Sequence, residues 1–262
     1  MTARDAGAAR GETVEALEAR APFRFPREMV VGLLLVAVAW QVVSFFVPPF
    51  VVPGWERILT TLVTLRLDFV LITLARVAAA LAVSFALGLG LAVAMYASAP
   101  VERYGRPIVR LFMAVPVVCW ILFAVLWFKW VEFRIGFVLV VVCAPVFLVD
   151  VLDAMKGVSR DLRDMLRSFR PTGAQFFTKL ILPATLPAIL TSWKINLSLA
   201  IRVVTIAELV GAVTGIGYGL VVAQELFSVA EVFAWTLILV VILFLAEAVL
   251  TRVEERLLRW RT

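Results

Sequence analysis

Apolar runs long enough to cross a lipid bilayer recur along this sequence and constrain its fold more than any other feature. An α-helix needs about 20 apolar residues to span the hydrocarbon of a membrane. Hydrophobic residues make up 63% of the 262-residue chain and charged residues only 17%, against about 25% in an average soluble domain. A soluble fold would leave too little polar surface to face water, so the sequence predicts an all-α protein embedded in a bilayer.

Six runs approach or exceed this length and predict a polytopic protein with six transmembrane helices. They cover 29–47, 69–97, 108–128, 135–152, 186–210 and 232–250. Proline cannot continue a helix, so Pro48 and Pro49 end the first run and Pro116 predicts a kink in the third. The resulting domains are a polar N-terminal segment, 1–28, a transmembrane domain, 29–250, which contains a long inner loop, 153–187, and a basic tail, 251–262.

Lys and Arg residues alternate between rich and poor segments along this map. Positive charge is retained on the cytoplasmic side when it lies in short loops near helix ends. The N-terminal segment, the second and fourth loops and the tail hold 19 Lys and Arg residues, whereas the other loops hold 4. Six spans with both termini in the cytoplasm produce this alternation.

Several classes of chemistry are excluded by composition. Histidine is absent, which excludes Ser-His-Asp and Cys-His catalysis and all His-ligated metal sites. No G-x-x-x-x-G-K-S/T motif occurs, so the chain has no P-loop for ATP. Cys119 and Cys143 lie in apolar runs and are interpreted as small buried hydrophobic residues. We predict no catalytic residue, no metal and no cofactor within this chain.

The long inner loop, 153–187, mixes charged and apolar residues at helical spacing. This spacing predicts an amphipathic helix over 161–169. A turn at 170–173 leads to a second helix over 174–182, which Pro183 is expected to close. A surface loop lying on the bilayer is one interpretation. A docking surface for a cytoplasmic partner is favoured, because both helices are too structured for a linker.

Polar residues on the fifth run are candidates for a translocation path, because burying such groups in a membrane is costly. They are Arg202, Glu208 and Asn196. Arg202 either lines a central passage, where it favours anions, or pairs with an acid on another helix. Glu208 lies about 240° from Arg202 around a helix, so the two do not face each other. Glu208 and Asn196 are interpreted as structural or gating groups, and Arg76 of the second run is expected to face the membrane interface.

A glycine cluster follows the fifth run, at Gly215, Gly217 and Gly219. Its spacing is not G-x-G-x-x-G and no strand precedes it, so a nucleotide site is disfavoured. We interpret these glycines as backbone flexibility at an external gate. The surrounding segment, 211–231, is too short and broken to span and predicts a re-entrant or periplasmic helix.

Five segments together resemble the inner-membrane permease subunit of ATP-binding cassette (ABC) importers, in the nitrate/sulfonate/taurine type of the binding-protein-dependent transport family. The resemblance covers roughly 73–260. The segments on which it rests are TLARV at 73–77, AVPVVCWILFAVLWF at 114–128, LILPATLPAIL at 180–190, AELVGAVTGIGYGL at 207–220 and ERLLRW at 255–260. Each segment alone is a weak signal, whereas the combination is specific.

The resemblance assigns a coupling role to the long inner loop, which in that family carries an EAA motif, a glycine and then a Leu-Pro pair. Counting back from Leu182-Pro183 places Asp164 at the Glu position and Arg170 at the glycine position, so the motif is degenerate. The implied ATPase-coupling residues are Asp164, Met165, Leu166, Arg170, Pro171, Gly173, Phe176, Phe177 and Pro183.

The family resemblance also implies a type I ABC importer permease fold and an assembly in the bacterial inner membrane. Two permease protomers, most often identical but in some cases different, join two ATPase subunits that bind ATP and Mg, together with an external solute-binding protein. The implied solute is small, either anionic or vitamin-like, such as a pyrimidine precursor or riboflavin, and no nucleic acid is involved. A stand-alone secondary transporter would usually show internal repeats, which this sequence lacks, and an intramembrane enzyme would need a clustered catalytic set.

Overall fold

The computed structural model describes residues 27–258, and within this range the secondary structure is helical with no strand. The chain divides into two compact units, Met1–Pro48 and Pro49–Thr262. The described part of the first unit contains helix α1, Arg27–Phe46. Its apolar portion, Val30–Phe46, is too short to meet the length expected of a membrane span.

The second unit, up to residue 258, is a bundle of α-helices with one π-helical segment. In chain order these are α2 Trp55–Thr64, α3 Leu67–Ala97, α4 Ala99–Ala114, α5 Val117–Trp127, α6 Val131–Gly157, α7 Arg160–Ser168, α8 Gly173–Phe176, the π-helix Phe177–Ile181, α9 Leu182–Gly211, α10 Ile216–Glu225 and α11 Val229–Leu257. The short helix α10 lies within segment 211–231, where the sequence predicts a re-entrant or periplasmic helix.

Four helical stretches of the second unit are long and apolar enough to cross a membrane, and they correspond to the second, fourth, fifth and sixth predicted spans. They are Leu67–Ala97, Val131–Gly157, Gly173–Gly211 and Val229–Leu257. Over residues 27–258, counting the α4–α5 pair as one span gives five. The first predicted span corresponds to α1, whose apolar portion is shorter, so over the described residues the number six is not reached by helix length alone.

The third apolar run bends at Pro116, where the sequence predicts a kink, but the bend is a break between two helices. Helices α4 and α5 meet at an angle of 90°. Val115 is extended, with ψ 125°, because the residue before a proline is disfavoured in the helical region. Pro116 therefore ends one helix and begins another, which is a larger effect than the kink expected from the sequence.

The core of the second unit forms where α3 and α6 pack against each other along much of their length. Gly88 permits this approach, since a Cβ there would lie 2.7 Å from Phe147 Cβ and 2.9 Å from the carbonyl oxygen of Ala144. Small residues allow such close contact between membrane helices. Helix α9 then packs against both α3 and α6 and contacts α5, α10 and α11, so it occupies the centre of the unit.

Candidate functional site

The predicted amphipathic helix of the long inner loop is confirmed by α7. Its N-terminus is capped by the Ser159 hydroxyl, which accepts a hydrogen bond from the Leu162 N–H at 3.4 Å. Asp161 in the first turn and Arg167 in the last turn complement the helix dipole. Local capping and charge therefore favour a helix that is short and largely exposed.

Helix α7 exposes its apolar side chains. Leu162 is 44% exposed and Met165 56%, and Phe169, the residue directly after α7, is 75% exposed. Leu166 is half-buried, whereas Asp164 is exposed and forms only a loose ion pair with Arg167. Monomeric proteins rarely leave a continuous apolar face open, so this face is the candidate docking surface of the loop.

One side of α7 is tied to the end of α6. The Arg163 guanidinium donates to the carbonyl oxygens of Met155, at 3.2 Å, and Lys156, at 2.5 Å. These carbonyls belong to the last turn of α6, which a cation stabilises. Arg163 therefore links α7 to the end of α6.

The turn after α7 contains Arg170 in a left-handed conformation, with φ 51°. This conformation favours glycine, because other residues place their Cβ against the backbone there. Arg170 is the residue that the family resemblance places at a glycine position, and its backbone has a conformation that glycine favours. After Pro171, Thr172 and Gln175 form a capping box that starts α8 at Gly173.

The prediction that Pro183 closes the second loop helix is wrong. Helix α8 continues through the π-helix, Phe177–Ile181, into α9, giving one helical stretch from Gly173 to Gly211. Pro183 lies in the first turn of α9. The π-helix shifts the backbone hydrogen-bond pattern just before it, which accommodates a proline without ending the helix.

Phe176 and Phe177 attach this part of the loop to the interior. Both are half-buried and pack against a cluster that includes Met155, Leu152 and Ile181. Phe176 also lies under the Arg167 guanidinium, 5.7 Å from its ring centre. The loop thus has an exposed helix, α7, and a second half that is anchored in the bundle.

A charged network joins α3, α6, α9 and α10. The Glu208 side chain is fully buried. It accepts hydrogen bonds from Arg76 Nη1 at 2.7 Å, Thr73 Oγ1 at 2.9 Å and the Gly217 N–H at 2.9 Å. Arg76 also donates to Glu132 from Nε at 2.8 Å and from Nη2 at 2.5 Å. One guanidinium therefore bridges a buried carboxylate and a largely exposed one.

The same network caps the N-terminus of α10. The Ile216 N–H donates to Thr73 Oγ1 at 2.9 Å, next to the Gly217 bond to Glu208. The first N–H groups of a helix have no partner within it, and a carboxylate there is favourable. Residues from α3 and α9 thus take the place of a local cap.

The glycines assigned to an external gate are closely packed around this cap. Gly215 has φ 107°, and a Cβ there would lie 2.4 Å from the Glu208 carboxyl carbon. A Cβ at Gly217 would lie 2.3 Å from the Thr205 carbonyl oxygen, and one at Gly219 2.6 Å from the Trp235 ring. Their packing explains why small residues are needed, and their role in a gate stays a prediction.

The position of Arg76 corrects the sequence interpretation. It was expected to face the membrane interface, but only 8% of the residue is exposed. A signal was available in the sequence, because Arg76, Glu132 and Glu208 are isolated charges in or beside apolar runs. Which charge meets which depends on how α3, α6 and α9 pack, and spacing along the chain does not encode that.

The three candidate path residues are not brought together. Asn196 is buried, and its Nδ2 donates to the Ser192 carbonyl oxygen at 3.0 Å, while the Ser192 hydroxyl donates to Asp150 at 2.6 Å. Glu208 is also buried, whereas Arg202 is exposed. Their role in translocation stays a prediction. Within residues 27–258, no three His, Cys, Asp or Glu side chains form a group that could hold a metal ion.

Comparison with curated proteins identifies transport permeases as relatives. A formylaminopyrimidine transport permease of Halalkalibacterium halodurans is 28% identical over 89% of this chain and 96% of its own length. A putative aliphatic sulfonates transport permease of Bacillus subtilis is 30% identical over 88% of this chain and 87% of its own. A taurine transport system permease of Escherichia coli is 28% identical over 87% of this chain and 86% of its own.

Solved structures support the fold. A chain of a methionine ABC transporter in an inward-facing conformation superposes with a TM-score of 0.65 at 20% identity, over 75% of this chain and 95% of that one. A chain of an amino acid ABC transporter gives a TM-score of 0.56 at 16% identity, over 72% and 90%. The family model described as binding-protein-dependent transport system inner membrane component matches residues 84–259. The chain therefore belongs to that family, whose members are the non-catalytic permease subunits of ABC transporters.

Proposed function

We propose that α7 couples ATP hydrolysis in a separate ATPase subunit to movement of the membrane helices, and that the chain thereby passes a small solute inward by alternating access. The observation that carries this proposal is the exposed apolar face of α7. A stand-alone secondary transporter and an intramembrane enzyme offer no reason for such a face, and family membership argues against both.

The structure offers a continuous route for this coupling. Arg163 ties α7 to α6, and Phe176 and Phe177 tie the rest of the loop to the bundle. The helical stretch Gly173–Gly211 then runs from the loop to the Glu208 network and the glycine cluster. Closure of the ATPase subunits on α7 would shift this stretch and change the packing at its far end, where we place the external gate.

Membrane orientation follows from the charge distribution. The Lys and Arg residues favour a cytoplasmic position for both termini and for α7. The same orientation places α10 and the glycine cluster on the external side, where a solute-binding protein delivers its cargo. The inner membrane of a bacterium, with the ATPase subunits on its cytoplasmic face, is the setting that fits this arrangement.

The passage lies between two copies of the chain, and Arg202 lines it. The exposure of Arg202 on α9 supports this assignment, since an arginine at membrane depth normally faces a water-filled cavity or an acidic partner. A homodimer supplies both permease protomers of the assembly from a single gene product. The solute belongs to the range named for the relatives, a sulfonate, taurine or a pyrimidine precursor.

Retention of the ATPase subunit tests the coupling role. The full-length tagged chain is co-expressed with its ATPase subunit and purified. Met165→Asp places a charge on the exposed apolar face of α7 and is expected to reduce ATPase recovery by about tenfold or more, the effect of losing an interface contact worth at least 1.4 kcal/mol.

Leu226→Asp is the matched control, because Leu226 is 67% exposed and lies next to α10 rather than in the loop. It should retain the ATPase at the level of the unmodified chain. Equal recovery with Met165→Asp and with Leu226→Asp would show that α7 is not the docking helix.

A further inference from the structure

A groove of about 490 Å³ opens beside the exposed face of α9. Its lining includes Val146 of α6, Ser198 and Arg202 of α9, and Glu247 of α11. Small-molecule sites usually have volumes of about 300–1,000 Å³ and combine apolar walls with a few polar groups. This groove, the α9–α11 groove below, has that size and composition.

Helix α9 carries two basic side chains and α11 two acidic ones at matching levels, but only one of the two acid–base combinations forms an ion pair. Lys194 and Glu254 form an ion pair with N and O atoms 2.5 Å apart. Arg202 lies eight residues further along α9 and Glu247 seven residues back along α11, which are rises of about 12 and 10 Å. Both side chains line the same groove, so they stand at about the same level.

Arg202 and Glu247 do not form an ion pair with each other. Among residues 27–258 neither side chain has an ion-pair partner within 4.0 Å or a hydrogen-bond partner. Arg202 is exposed and Glu247 half-buried. Charges at membrane depth are costly unless they are paired or hydrated, so a groove with one free cation and one free carboxylate calls for a ligand that meets both.

We propose that the α9–α11 groove binds a small zwitterionic solute, with its anionic group on Arg202 and its ammonium group on Glu247. The inference rests on the proposed function and narrows its substrate class. A simple anion would meet Arg202 but leave Glu247 unpaired and repel it, and a simple cation would do the reverse. Lys194 does not alter this balance, because Glu254 already neutralises it.

Direct binding to the full-length chain tests the inference without the solute-binding protein. The chain is placed in lipid nanodiscs, and saturation-transfer NMR compares three probes: 2-aminoethanesulfonate, ethanesulfonate and ethylammonium. The zwitterion is expected to bind at least about tenfold better than either of the others, because each analogue leaves one charged group of the site unpaired.

Charge-removing variants assign the two ends of the ligand. Glu247→Gln should remove the preference for the zwitterion over ethanesulfonate, and Arg202→Gln the preference over ethylammonium. Arg103→Gln, which alters an exposed arginine on α4 outside the groove, should keep both preferences. Equal binding of zwitterion and anion by the unmodified chain, or preferences that persist in both groove variants, would overturn the assignment.

A second copy of the chain is the competing occupant. With cysteines introduced at positions 202 and 247 on separate copies, a disulfide that joins the two copies in the unmodified lipid environment would show that the charges pair across a dimer, and this would overturn the solute site. The Met165→Asp experiment reads out ATPase docking alone, so the proposed function and the zwitterion site succeed or fail separately.

Discussion

Neutralising each carboxylate that contacts Arg76 separates two explanations of the buried network. Glu132 accepts two hydrogen bonds from Arg76, at 2.5 and 2.8 Å, and Glu208 accepts one, at 2.7 Å. If the number of hydrogen bonds determines the loss of stability, Glu132→Gln is the more destabilising change. If burial determines it, Glu208→Gln is the more destabilising, because the Glu208 side chain is 0% exposed and the Glu132 side chain 68%.

The burial of each carboxylate sets the expected loss in the free energy of unfolding. Removing one partner of a buried ion pair costs about 3–5 kcal/mol, and Arg76 keeps Glu132 and Thr214 as partners. We therefore expect Glu208→Gln to lower the free energy of unfolding by about 3 kcal/mol, the lower end of that range. The pair with Glu132 is screened by solvent, and its loss should cost at most about 1 kcal/mol.

Thermal unfolding of the purified chain in one detergent, at one scan rate, measures the difference. At about 2–4 °C per kcal/mol for a chain of this size, Glu208→Gln should lower the midpoint by about 6–12 °C and Glu132→Gln by no more than about 4 °C. Glu225→Gln, at an exposed position outside the network, controls for loss of negative charge. Equal midpoints for the two network variants, or a larger loss with Glu132→Gln, would refute the burial explanation.

Two backbone positions offer further paired tests by the same melting assay. Gly88→Ala should destabilise by about 1–3 kcal/mol, because its Cβ would press on the α6 backbone at 2.9 and 3.0 Å, whereas Gly90→Ala, with nothing within 4 Å, should stabilise by about 0.5–1 kcal/mol. Similar shifts of the unfolding midpoint for Gly88→Ala and Gly90→Ala would contradict the close-contact role of Gly88. Arg170→Gly should be more stable than Arg170→Ala by about 1 kcal/mol, since alanine keeps the cost of the positive φ; no difference would mean that the turn relaxes.

The elements that could be predicted from the sequence are those specified by local properties. Length and apolarity define α3, α6, α9 and α11 without reference to any other part of the chain. The spacing of apolar residues in the inner loop likewise predicts α7. Both interpretations of the inner loop also place α7 at the surface, and none of its residues is buried.

The features that could not be predicted depend on contacts between distant segments. The 90° bend at Pro116 is accompanied by stacking of Phe112 on Trp120 across the corner, which a proline alone does not imply. The passage of the helix through Pro183 depends on a π-helix, for which the sequence has no simple signal. The Arg76–Glu208 pair joins residues 132 positions apart, and its partners become evident only when α3 and α9 are packed.

The buried network is better explained by its effect on the alignment of α3, α9 and α10 than by its contribution to folding stability. Replacing a buried ion pair with apolar residues is often neutral or stabilising, so stability alone gives no reason to keep Glu208 in the interior. One alignment of α3, α9 and α10 satisfies the Glu208 carboxylate, the Thr73 hydroxyl and the two first-turn N–H groups of α10 together. A shift of α9 by even one residue would break several of these bonds at once. Under the proposed coupling role, an end fixed in this way would convert a displacement at α7 into a discrete change at the glycine cluster, as a gate driven from α7 requires.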